Sequence, residues 1–265
     1  MDKNTLYITS QLHTAARRYC MDRFSFWANK YAKLPHGIGT YSEAQLQVFP
    51  RYNFIKAILI EIEKYIPEDF EDLNHAKETL VQTGKNAQDM FTKPPHGETE
   101  KQVMREERSD FIDYILNVTE EELQMIEFLA YRRTLKEAES SELWKQVKIQ
   151  WNIHDTQWYP LVSAAKNNLI AFNDDTFHKA IRKNDFNKIF NQKNIQRILE
   201  FRESGPEYEL DLEWFVPEYN GAQGYWTSRK MDWIIYASHE NTITIGGWIL
   251  DDIKKIWPDW KKHTW

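Results

Sequence analysis

The chain has 265 residues, and its 42% hydrophobic and 28% charged residues describe a globular protein long enough for one large domain or two small ones. That composition excludes a collagen-like chain, a disordered tail and a disulfide mini-protein. The net charge of -6 disfavours a general nucleic-acid binder, which carries a basic excess to displace phosphate counterions.

The first half reads as helices. Apolar residues recur at helical spacing over 12–33, through Ala16, Tyr19, Cys20, Phe24, Trp27 and Tyr31, before a stop at Leu34-Pro35-His36-Gly37. A second helix spans 52–66 with Ile55, Ile58, Leu59, Ile62 and Ile66 on one stripe. A third spans 69–82 and is ended by Gly84. Residues 85–100 hold Pro94-Pro95-His96-Gly97 and read as a loop; 100–116 is amphipathic and helical again. Thr119 with Glu122, and Thr134 with Glu137, have the spacing of capping boxes, which predicts helices at about 120–130 and 135–150.

The second half is richer in strands. Ten of the eleven tryptophans follow residue 143. Short apolar runs at 158–162 and 168–172 predict strands, and Asn173-Asp174-Asp175 turns the chain into 176–183. Residues 194–203 read as a helix stopped by Gly205-Pro206. Residues 207–215 alternate, with Tyr208, Leu210, Leu212 and Trp214 opposite a solvated acidic face of Glu207, Glu209, Asp211 and Glu213. The last two strands, 231–238 and 242–247, match apolar faces only with a three-residue loop, His239-Glu240-Asn241, because a one-residue slip inverts every side chain. A short helix at 251–257 closes the chain.

The fold class expected is α+β: a helical N-terminal half followed by an antiparallel sheet with inserted and C-terminal helices. The boundaries expected are a helical region at 1–150 and a sheet region at 151–265, packed as one globular unit.

Chemistry-bearing residues are sparse. His239 and Glu240, at the predicted hairpin tip, form the candidate acid–base pair, with a solvated polar turn as the plainer reading. Trp158, Tyr159, Trp226 and Tyr236 are candidate groove-lining aromatics; a tryptophan-rich core is the competing reading, with Trp226 expected to be exposed beside the loop 221–224 and Tyr236 to lie on the face away from Trp233. Arg132 and Arg133 would clamp an anion or pair with Glu127, Glu137 or Glu139. Residues 179–197 carry six basic residues against Asp185, which reads as a solvated helical face or a patch for nucleic acid or an acidic partner. Asp174, Asp175, His154, Asp155 and His178 read as caps and turn residues rather than a metal site. No cofactor motif is present: the glycines Gly221, Gly224, Gly246 and Gly247 do not form a phosphate-cradling loop. The single cysteine, Cys20, allows neither a disulfide within the chain nor a cysteine-based zinc site, and falls within a buried stripe. With no leader pattern at 1–10 and no long apolar run, the expectation is a cytoplasmic protein without membrane insertion.

The segments Tyr131-Arg132-Arg133, Trp158-Tyr159-Pro160-Leu161 and 232–240 resemble a pattern in uncharacterised bacterial proteins. The resemblance covers the second half best. It implies a bacterial cytoplasmic protein and carries no activity or functional residue.

The functional expectation is a non-catalytic module, immunity-like or regulatory, offering an aromatic surface to a protein partner. The alternative is a hydrolase or transferase acting on a small polar substrate, with His239 as acid–base group, Glu240 orienting it and Arg132 or Arg133 anchoring an anion.

Overall fold

The computed structural model describes residues 3–35, 41–88, 92–93, 95–154, 158, 160 and 168–265. The fold is α+β, in two compact units, Met1–Leu129 and Ala130–Trp265. The division falls at 129/130, so residues 130–150, assigned to the helical half by the sequence, belong with the sheet.

The first unit is helical: α1 (Lys3–Ala32), α2 (Glu43–Leu46), α3 (Phe49–Ile62), α4 (Leu73–Asn86), α5 (Glu98–Asn117) and α6 (Glu120–Gln124). Small residues on α1, Ala15, Ala16 and Cys20, let it lie close to Ile55, Ile58 and Ile62 of α3 in one core. Gly84 does not end α4. It lies inside the helix, where an added Cβ would stand 2.6 Å from the Phe111 ring of α5, so the missing side chain makes room for the neighbouring helix. The Thr119–Glu122 capping box forms as predicted, but α6 is a single short turn.

This core also holds charge. Arg17 Nε donates to Glu63 Oε1 at 3.0 Å with both side chains buried. Glu107, fully buried, accepts from Arg23 and Arg51 at 2.6–3.1 Å. Cys20 is buried among these helices, and burial pushes its thiol well up, as expected of an inert cysteine. His13, also buried, lies 3.2 Å from the Ile62 carbonyl; burial, and then Arg17, lower its pKa to about 4. Its folded pKa is below the ordinary 6.5, so the neutral ring stabilises the fold fully above about pH 6.5. That contribution is lost as pH falls toward 4. Urea unfolding of the helical unit followed by helix-specific hydrogen exchange should show this decline, and His13→Gln should flatten it.

The second unit is built on β1 (Arg132–Thr134), β2 (Leu169–Asn173), β3 (Arg197–Arg202), β4 (Tyr208–Asp211), β5 (Gly224–Thr227), β6 (Trp233–Ser238) and β7 (Thr242–Gly247), antiparallel in the order β1-β4-β3-β5-β6-β7-β2. The hairpin has the predicted register: Ser238 opposes Thr242 and Trp233 opposes Gly247, leaving three residues at the tip with Asn241 at φ 55°. Residues 197–202 are strand β3, not part of a helix, and 212–214 leave the β4 alternation as a 3-10 turn. Thr134 lies in β1 and caps nothing; Lys136 stands at the N-cap of the next helix.

Helices cover both faces. On one, α8 (Asp174–Ala180), α9 (Lys183–Gln192) and α10 (Trp248–Ile256) pack Phe177, Phe186, Phe190 and Ile249 against Trp226, Trp233, Ile235 and Ile245. On the other, α7 (Glu137–Trp151) lays Leu143, Val147 and Trp151 over Leu199, Phe201, Tyr225, Ile234 and Tyr236. Every residue of β6 is therefore buried.

Candidate binding surface

Of the aromatics singled out in the second half, Trp158, Trp226 and Tyr236 are core. Trp226 is 0% exposed, and its Nε1 donates to Glu200 Oε2 at 2.7 Å, directly across the β3–β5 pair. Arg202 stacks over the same indole at 4.9 Å while its Nε donates to Glu200. The expected exposure of Trp226 is thus overturned: it lies within strand β5, under the chain that carries Phe215. Tyr236 does lie on the face away from Trp233, opposite Thr244, but that face is covered. It stacks on Tyr225 at 4.7 Å and meets Trp158, itself buried, edge-on. Burial raises the Tyr236 hydroxyl to about 12. Tyr159 lies outside the described residues, as do Asp155 and residues 161–167.

His239 and Glu240 stand exposed at the hairpin tip. The Glu240 amide donates to Ser238 Oγ at 3.2 Å, Ser238 and Thr242 share a hydroxyl bond at 2.8 Å, and the Asn241 carbonyl accepts from the Asp174 amide at 2.9 Å. These bonds fix the turn backbone. Among the described residues, none stands within hydrogen-bond reach of the His239 ring.

Arg133 is engaged as a structural partner. It forks onto Glu139 at 2.7 and 2.8 Å and reaches Glu209 at 3.1 Å, while Arg229 closes the ring onto Glu209 at 2.7 Å and Glu139 at 3.1 Å. The bond from Arg133 holds Glu139 down to about 2. Burial alone would raise Glu209, but Arg229 and Arg133 outweigh it and keep it below the usual range. The acidic face of β4 is therefore ion-paired rather than free in solvent. Arg132 lies over Tyr208 and Trp214, 5.4 and 5.0 Å from the rings. Three of the six basic side chains in the run 179–197 are held locally: Lys188 on Asp185, Arg197 on Asp211, Lys193 over Trp248. His178 stands 3.0 Å from Asp174, and no cluster of three metal-ligating side chains occurs among the described residues.

The aromatic surface lies instead on the helical unit. The buried residues of α1 end at Cys20, and residues 21–32 continue for about three further turns. Phe24, Trp27 and Tyr31 recur there at helical spacing and meet the start of α3. Tyr31 contacts Phe49 and Tyr52 at 5.7 and 5.6 Å; Phe24 meets Tyr52 edge-on at 5.8 Å. Tyr41 stacks on Phe49 at 5.1 Å, and Phe26 lies edge-on to Trp27 at 4.8 Å. Three cations, Arg23, Lys30 and Arg51, stand 4.8–5.4 Å from the Trp27 ring. Phe26 and Tyr41 are 56% and 53% exposed, too open to be core. Met125 and Phe128 are more exposed still, but among the described residues no aromatic contact joins either to a cluster, and single exposed apolar residues are ordinary. The signal in the sequence was local density: seven aromatic residues between 24 and 52.

No protein-family model, curated protein or solved structure matches the chain. The bacterial resemblance therefore rests on the residues quoted for it. Among the described residues, no helix is long and apolar enough to cross a membrane.

Proposed function

We propose that the chain is a non-catalytic protein-binding module whose contact surface is the aromatic end of the helical unit. The observation that carries this reading is the five-ring cluster that ends at Tyr41 together with the Phe26–Trp27 pair under Arg23, Lys30 and Arg51, with Phe26 and Tyr41 more than half exposed. Protein interfaces are enriched in aromatic residues and arginine, and their anchors are rigid rings of this kind. The net charge of -6 adds long-range attraction for a basic partner. The one cysteine, buried and unpaired, suits a reducing compartment, and we place the protein in the bacterial cytoplasm. The hydrolase or transferase alternative gains no support from the sites named for it: His239 and Glu240 are exposed on a fixed turn, and Arg133 is bound to two glutamates.

The test is affinity capture from the source cell with wild type and a Phe26→Ala/Tyr41→Ala double variant, followed by titration of the retained protein. Both positions are exposed, so the thermal midpoint should hold. Affinity should fall at least about thirtyfold, as for loss of an interface anchor. Equal affinity for the double variant, or no protein retained by wild type, would refute the reading.

A further inference from the structure

Residues 215–223 carry the chain from the 3-10 turn at 212–214 to β5, and they hold the one Asn-Gly pair in the sequence, Asn220-Gly221. An asparagine side chain can be attacked by its own backbone: the nitrogen of the next residue reaches the side-chain carbonyl carbon and closes a succinimide ring. A glycine in that position hinders the nitrogen least. Asn220 and Gly221 are both exposed. Gly221 has φ 100°, and nothing lies within 4 Å of where a Cβ would stand. Among the described residues, the Gly221 amide donates no backbone hydrogen bond, so none has to break before it reacts.

The carbonyl under attack is held by an arginine. Arg202 Nη1 donates to Asn220 Oδ1 at 3.1 Å. A guanidinium only donates, so the oxygen of the side-chain amide faces it and the nitrogen does not. The guanidinium is itself fixed. Its side chain is 11% exposed, its Nε donates to Glu200 Oε1 at 3.0 Å, and it lies 4.9 Å over the buried Trp226 ring. A cationic donor on the carbonyl oxygen draws electron density from the carbon and stabilises the charge that develops on the oxygen, as an oxyanion hole does.

We infer that Asn220 is a self-modification site, converted to an acid by its own chain with Arg202 as the oxyanion donor. Hydroxide takes the Gly221 amide proton, and the nitrogen bonds to Asn220 Cγ. The resulting oxyanion rests on Arg202. Its collapse breaks the Cγ–Nδ2 bond, and ammonia leaves with a proton returned by water. A second water opens the succinimide at either carbonyl, which gives aspartate or isoaspartate at position 220. Water is consumed and ammonia released, with no oxidant or reductant. In the aspartate product the new carboxylate takes the place of the amide at Arg202, which then pairs with two acids, the new one and Glu200.

The experiment follows the full chain, folded and in urea, side by side at one mildly alkaline pH. Peptide mass spectrometry reads the amide-to-acid mass gain at Asn220, and an isoaspartate assay reads the second product. A folded backbone ordinarily slows this reaction by holding the chain away from the ring geometry. Here the folded chain should convert Asn220 at least as fast as the unfolded one, and faster than any other asparagine. Arg202→Gln should slow the folded chain about tenfold or more, as for loss of a charge-assisted oxyanion donor, and leave the unfolded rate unchanged. Gly221→Ala touches no neighbour, so it keeps the test open if Arg202→Gln loosens the sheet. It should slow conversion in both states. Slower conversion in the folded chain than in urea, a folded Arg202→Gln variant that reacts as wild type does, or a Gly221→Ala variant with the wild-type rate would each overturn the inference.

Discussion

Replacing Glu63 by alanine is expected to destabilise the helical unit by about 3–5 kcal/mol. The pair Arg17–Glu63 is held at 3.0 Å with side chains only 4% and 0% exposed. Neither water nor salt screens it. Removing the carboxylate takes this partner from a guanidinium buried in the same helical core as Leu12, Ala16, Ile58 and Ile62, where breaking a buried ion pair from one side costs more than the pair itself is worth. The effect should appear in native-state hydrogen exchange as lowered opening free energy for amides of α1 and α3, with sheet amides as the internal comparison. A double variant, Arg17→Met/Glu63→Leu, removes both charges and should recover most of the loss. Failure of the double variant to recover would mean that the cost arises from packing rather than from charge.

Gly247→Ala is expected to cost about 3 kcal/mol or more in the sheet unit. Gly247 ends β7 and stands at the N-cap of α10 with φ 77°, a conformation that L side chains rarely adopt. An added Cβ would stand 2.2 Å from the Asp232 carbonyl oxygen and 2.7 Å from the Trp233 Cα. Those are backbone atoms of the neighbouring strand, so no rotamer change relieves the clash. Left-handed strain of about 1–2 kcal/mol adds to overpacking of about 1–3 kcal/mol. Chemical denaturation followed by tryptophan fluorescence reads this directly, since ten tryptophans lie in the sheet unit. Gly221→Ala is the comparison: it also has positive φ, at 100°, but nothing lies within 4 Å of its added Cβ, so it should cost only the conformational part.

The hairpin 233–247 was legible because its apolar residues alternate on one face and only a three-residue tip keeps them together. Residues 197–202 were not. Ile198 serves one core, and Leu199 and Phe201 the other, so apolar side chains run on instead of alternating, and the run imitates a helix. The same fact defeated the sheet-side candidate site. Trp233 and Ile235 point one way, Ile234 and Tyr236 the other, and an apolar set on each face signals a strand covered on both sides. Gly84 was misread because glycine marks helix ends more often than it marks a close approach between helices. Glu209 read as part of a solvated face because nothing local announces Arg229, which arrives 20 residues later to close the ring. The aromatic end of the helical unit was present as spacing at Phe24, Trp27 and Tyr31, but the tryptophan excess after residue 143 drew weight to the wrong unit. Trp226, Trp233 and Trp257 there fill space between sheet and helices, while Trp265 is exposed.

Hydroxyl-radical footprinting of the native chain tests most directly where the exposed aromatic rings lie. Phe26 and Tyr41 should be oxidised readily, while Trp226 and Tyr236 stay protected until the sheet unit unfolds. Oxidation of Trp226 and Tyr236 at the rate of Phe26 and Tyr41 in the folded protein would contradict the placement of the contact surface on the helices.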